Sequence, residues 1–154
     1  MLTRRTVLRR IVPGAAIGGV LASMPVGSAS AQVPVQGTLA LIEPYRLYDS
    51  RAVQPAKHAS GTAFSLIIPA SDENEGTLIN LTVTETEGAG FVRLGREEVV
   101  PPPTSNINWF ATGQTLANLA FLNVAGGVTV QVGGNGRTHI LLDILGFVRG
   151  APNF

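Results

Sequence analysis

The chain has 154 residues, a net charge of +1, no cysteine and two histidines; 45% of its residues are hydrophobic and 14% charged. This length accommodates one domain behind a leader, and so apolar a chain is not a disordered one. Without cysteine there are no disulfides, thiolate metal sites, iron–sulfur clusters, c-type haem or cysteine lipids, and two histidines leave little for zinc, so neither a metal nor a cofactor is expected.

The charge is unevenly placed. Residues 1–31 hold Arg4, Arg5, Arg9 and Arg10 and no acid, whereas residues 32–154 carry seven basic and ten acidic residues, net −3. A basic surface for nucleic acid is therefore not expected in the body of the protein. The basic start, the apolar run at 11–26 and the small residues Ala29, Ser30 and Ala31 read as an export signal cut before Gln32. The run is 16 residues long and contains Pro13, Gly14, Gly18 and Gly19, short and soft for a span of about 20 apolar residues. Membrane contact is expected only through an uncleaved leader. Thr3-Arg4-Arg5-Thr6-Val7-Leu8-Arg9 resembles the twin-arginine export motif, which implies transport of a folded chain out of a bacterial or archaeal cytoplasm. The expected organisation is a signal at 1–31 and a secreted domain at 32–154.

The 123 residues that follow contain 14 Gly and 8 Pro as punctuation between short apolar runs, a pattern of strands joined by turns. Strands are expected at 38–42, 64–68, 77–84, 91–94, 106–110, 115–124, 128–132 and 138–148. At 77–84 the period is two, with Ile79, Leu81 and Val83 on one face and Asn80, Thr82 and Thr84 on the other. Residues 115–124 place Leu116, Leu119 and Ala120 at helical spacing, but Gly113 before them and Gly126-Gly127 after them favour a strand. Gly133-Gly134-Asn135-Gly136 is a hairpin signal. Residues 52–61 read as an exposed polar loop. Pro101-Pro102-Pro103 marks an extended surface connection. About eight short strands at this spacing define an all-β chain, a single antiparallel β-sandwich.

Four blocks in order carry a resemblance. They are Pro44-Tyr45-Arg46-Leu47-Tyr48-Asp49-Ser50-Arg51; Asn80-Leu81-Thr82-Val83-Thr84 before Gly90-Phe91; Ser105-Asn106-Ile107-Asn108-Trp109 before Gly113-Gln114-Thr115-Leu116-Ala117-Asn118; and Asp143-Ile144-Leu145-Gly146-Phe147. Together they resemble a family of small secreted bacterial β-domains marked by Pro-x-Arg-Leu-x-Asp-Thr/Ser-Arg and a last strand ending Asp-x-x-Gly-aromatic. The chain departs from it at Tyr48, usually aliphatic, and in the insert at 96–103. That family has no established activity, so the resemblance implies an exported β-domain and no catalytic residues.

Asp143 lies among apolar neighbours, and a carboxylate there needs a partner. A structural clasp of Arg46, Asp49, Arg51 and Asp143 is expected, in which Asp143 meets Arg46 or Arg51 and pins the interior, with Arg46, Asp49 and Arg51 on a turn-like stretch. The rival use of Asp49 and Asp143 is calcium, which the adjacent arginines oppose. His139 reads as a satisfied strand histidine. In a strand it stands about 13 Å from Asp143, too far for a relay. Ser50 and Ser105 have no nucleophile-elbow setting. Asn80, Asn106, Asn108 and Asn118 read as bonds to turn backbones at the corners.

The expected function is non-enzymatic surface binding or self-association at the cell envelope. The partner is cell-wall glycan, another exported protein or a second copy. The first alternative is a carbohydrate-binding module in which Trp109, Tyr45 and Tyr48 stack on sugar. The second is a small secreted hydrolase using Asp49 and Asp143. Exposure of Trp109 separates the first two readings: a buried indole would argue against stacking.

Overall fold

The computed structural model describes residues 37–53, 55–71, 73–97, 102–123 and 126–150. Arg4 and Arg5 of the expected export signal, and Ala29 and Ala31 at its expected cleavage site, lie outside the described residues.

The described residues form nine strands and one helical turn. They are β1 (Gly37–Asp49), α1 (Ser50–Val53), β2 (His58–Ala59), β3 (Ala63–Ile67), β4 (Asn74–Glu87), β5 (Gly90–Arg96), β6 (Ile107–Trp109), β7 (Leu116–Leu122), β8 (Gly127–Gly134) and β9 (Arg137–Gly150). One sheet runs β1-β9-β4-β7, with β2 also on β9; the other runs β3-β8-β5-β6. All pairings are antiparallel, and the two sheets enclose one core, as an all-β sandwich requires. Among the described residues no helix is long and apolar enough to cross a membrane.

The period-two pattern decides which face turns inward. In β4, Ile79, Leu81 and Val83 are fully buried while Asn80, Thr82 and Thr84 stay partly exposed. Ile140, Leu142 and Ile144 of β9 and Val128, Val130 and Val132 of β8 supply most of the remaining wall. The glycine-flanked segment at 115–124 is strand β7, not helix. The two sheets join at a corner where Asn106 Oδ1 accepts the Leu94 N–H at 2.6 Å and Asn118 Nδ2 donates to the Asn106 carbonyl at 2.7 Å. These two asparagines bond to backbone, as expected of them.

Two expectations change. The motif from Pro44 to Asp49 is strand rather than turn, because β1 continues through a bulge around Ile42, Glu43 and Pro44. Proline has no N–H for a ladder, and a bulge on an edge strand absorbs it. The loop at 52–61 also contains the short strand β2, which adds the ninth strand and buries His58.

Candidate functional site

Register places the clasp. Arg46 of β1 lies directly opposite Asp143 of β9, and Asp143 lies opposite Asn80 of β4. Cross-strand neighbours on one face lie close enough to pair. Arg46 Nε donates to Asp143 Oδ1, Nη2 donates to Oδ2 at 3.3 Å, and Nη1 reaches Asp49 Oδ2 at 3.0 Å. Arg51 donates from Nε and Nη2 to Asp49 at 2.9 and 2.7 Å. Its backbone N–H also bonds Asp49 Oδ1 at 3.0 Å, so Asp49 caps the N-terminus of α1. The four residues thus meet in one network, with Arg46 rather than Arg51 on Asp143.

The network does not lie where the sequence suggested. It sits on the outward face of the first sheet: Arg46 is 44% exposed and Asp143 21%. Ile140, Leu142 and Ile144 take the inward positions of β9, which leaves Asp143 to the outside. The clasp therefore ties strands along a surface and does not pin the interior. Its strength follows from that: solvent screening brings such a pair to about 1 kcal/mol, against about 3–5 for one broken in a dry core. Asp143→Asn is accordingly expected to cost about 1 kcal/mol in urea unfolding, and a loss above about 3 would show an occluded pair.

The hydrogen bond from Arg51 holds the Asp49 carboxyl well below the usual carboxylate range, and the one that Arg46 donates to Asp143 raises the Arg46 guanidinium above its ordinary value. Lys57, at 2.7 Å, and Arg137 both donate to Glu87 and lower it from its ordinary 4.5. A depressed carboxylate contributes stability above its unfolded value, and that contribution is lost as pH falls through the folded one. Melting temperature is thus expected to decline with acid from about pH 4.5 downward through these two groups, and Glu87→Gln should remove the upper part of that decline. A wild-type curve flat to about pH 2 would contradict it.

Arg46 bridges Asp49 and Asp143, so a guanidinium stands where a calcium ion would have to sit. Among the described residues no three histidines or acids converge on a metal position.

The stacking expectation is overturned. Trp109 is 1% exposed in the core between the sheets, its ring over Gly90 of β5, and Tyr48 is buried as well. Tyr45 is half-buried against the same core, with its hydroxyl away from solvent. Trp109 shares the inward face of β6 with Ile107 while Asn108 between them is exposed, and a ring of that size gains most from full burial. Among the described residues the exposed rings are Phe110 and Phe121.

A polar group that the sequence reading missed lies behind α1. Ser50, fully buried, has its Oγ 2.9 Å from His139 Nδ1, and the same oxygen accepts the Ile140 N–H at 3.0 Å. His139 Nε2 faces Glu85 Oε2 at 3.9 Å. His58 Nε2 lies 2.8 Å from the Tyr48 hydroxyl, and its ring stacks on Phe64 at 4.7 Å between centroids. Serine, histidine and glutamate in series have the composition of a hydrolase relay, but here the serine has no exposed surface, and its oxygen is engaged by a backbone N–H. No spacing rule joins residues 48, 50, 58 and 139; the one sequence sign was two histidines in a chain otherwise poor in them.

A shallow depression of about 300 Å³ lies at the end of the sandwich, lined by Ser60, Glu87, Asn135 and Arg137 among others. Ser60 is spent on the Gly134 carbonyl at 2.7 Å, and Glu87 on Lys57 and Arg137.

Comparison with protein-family models, with curated proteins and with solved structures finds no match to this chain.

Proposed function

We propose that residues 32–154 form an exported, non-enzymatic binding domain that works by contact through the outward face of its first sheet. The observation that carries this is an apolar stripe. Leu41 of β1, Gly146 of β9, Leu78 of β4 and Phe121 of β7 are successive register partners, and Leu39 lies opposite Val148 in the next row. Leu39, Leu41, Leu119 and Phe121 are all exposed. Large apolar side chains gathered on one face of a sheet suit a protein partner or a second copy better than water. The buried Ser50 and the mutually engaged Asp49 and Asp143 support a non-enzymatic reading. Export and the envelope location rest on Arg4, Arg5, the apolar run and the Ala29–Ala31 site.

The full chain, expressed with its leader, supplies the test. It should be recovered outside the cytoplasm, and Arg4→Lys with Arg5→Lys should retain it inside. Recovered protein is expected to self-associate in sedimentation or to sediment with envelope fragments. Leu41→Asp with Phe121→Asp should abolish that association with little change in melting. Wild-type protein that stays monomeric and ignores the envelope would overturn the reading. Release by soluble cell-wall polysaccharide would favour sugar binding instead, for which the exposed Phe110 and Phe121 are the remaining rings.

A further inference from the structure

We infer that Ser50, His139, His58 and Tyr48 form an acid-released latch that holds α1 and β2 against β9. The geometry determines the protonation states that close it. Ser50 Oγ already accepts the Ile140 N–H, and the acceptor placed for its own hydrogen is His139 Nδ1. A buried hydroxyl needs that acceptor. The tautomer that lets Ser50 donate to Nδ1 carries its proton on Nε2, the nitrogen that faces Glu85. A proton on Nδ1 would make Ser50 Oγ the acceptor of both N–H groups and turn the serine O–H away from its His139 acceptor.

Every element packed around the histidines bears on this balance. From α1 come Ser50 and Arg51, the latter engaged by Asp49 of β1. From β1 comes Tyr48, bonded to His58; from β3, Phe64 stacks on His58 without charge. On β9, Arg137 is taken by Glu87 of β4, as is Lys57 just before β2. Glu85 of β4 is the acid that faces His139, and it is more than half exposed, so solvent screens most of its attraction for a charged ring. Burial and the proximity of His139 both favour the neutral form of His58. A charge on the His58 ring is thus resisted by burial and by the neighbouring imidazole, with one solvated carboxylate on the far side of His139.

Glu85 adds an independent sign. Among the described residues it is the non-glycine residue with positive φ, 52°, and it lies in the register shift between Thr84 and Glu87. A bulge re-aims a side chain, and a left-handed residue other than glycine is held there by its surroundings. Here the strained position carries the carboxylate that meets Nε2.

Opening frees His58, whose burial disfavours the charged ring, to take up a proton at the ordinary histidine pKa of about 6.5. From about pH 7.5 to about pH 5 the open population should rise about thirtyfold, with His58 binding its proton only when open. The Ile140 amide is the reporter, because its hydrogen bond goes to Ser50 rather than to a strand. In amide hydrogen exchange on the whole protein, corrected for intrinsic rates, Ile140 protection should fall by that factor while Leu81 and Leu142 keep theirs. His139→Asn combined with His58→Gln keeps polar partners and removes both imidazoles; its Ile140 protection should not change over this range. A flat wild-type profile, a parallel loss at Leu81, or an undiminished loss in the double variant would each overturn the latch. Should the double variant not fold, the wild-type contrast between Ile140 and Leu81 decides alone.

Discussion

Trp109→Ala should remove about 3–5 kcal/mol from the unfolding free energy, the range for deleting a large buried ring. A domain of this size has about 5–15 kcal/mol in all, so the variant is expected to lose a large part of its stability in urea. The ring lies between the sheets at 1% exposure, over Gly90 on the neighbouring strand, where no side chain could move in to fill its space. The indole N–H finds no hydrogen-bond partner among the described residues. Trp109→Phe should therefore cost much less than Trp109→Ala, since it sheds an unpaired donor while keeping most of the apolar volume. Phe110→Ala, one residue on and exposed, should change stability by no more than about 0.5 kcal/mol. Equal small effects at 109 and 110 would mean that the alternation of β6 is misplaced.

The second large effect is expected at Gly134, in the turn from β8 to β9. Its φ of 93° strains any L side chain, and an added Cβ would come 2.7 Å from the Gly90 Cα and 3.0 Å from the Ala89 carbonyl oxygen. Both neighbours are backbone and cannot swing aside. Gly134→Ala combines conformational strain with overpacking, each about 1–3 kcal/mol, for an expected loss of about 3. Gly61 separates the two contributions. Its φ is 88°, but nothing lies within 4 Å of an added Cβ. Gly61→Ala should therefore show the strain alone, about 1–2 kcal/mol. Melting curves for the two variants test this directly. Equal losses would show that the close approach of Gly134 to Gly90 adds nothing.

The features legible in the chain were those governed by local pattern. Alternation at 77–84 identified the inward face of β4, and the run of Gly133 to Gly136 identified the last hairpin. The pairing of Asp143 with an arginine of the first motif was also readable, because a carboxylate among strand residues must find a donor. The depth of that pair was not readable. Leu141, Asp143 and Leu145 look as apolar in company as Ile140, Leu142 and Ile144, so the alternation in β9 does not announce which set faces the second sheet. Aromatic fate was equally hidden. Trp109 and Phe110 are adjacent, and alternation alone sends one inward without saying which. The latch was least visible of all, since Tyr48, Ser50, His58 and His139 come together only when α1 and β2 fold onto β9.

Composition and local order thus determined that this is a cysteine-free antiparallel sandwich, preceded in sequence by a basic and then apolar segment, because turn chemistry and a period of two act between near neighbours. Tertiary structure decided which side each strand shows to the other sheet. It put the charged network outside, the tryptophan inside, an apolar stripe across four strands, and two histidines under one helical turn. Those outcomes depend on register between residues as far apart as 46 and 143, and register is settled by how the sheets share their burial, which no local segment encodes.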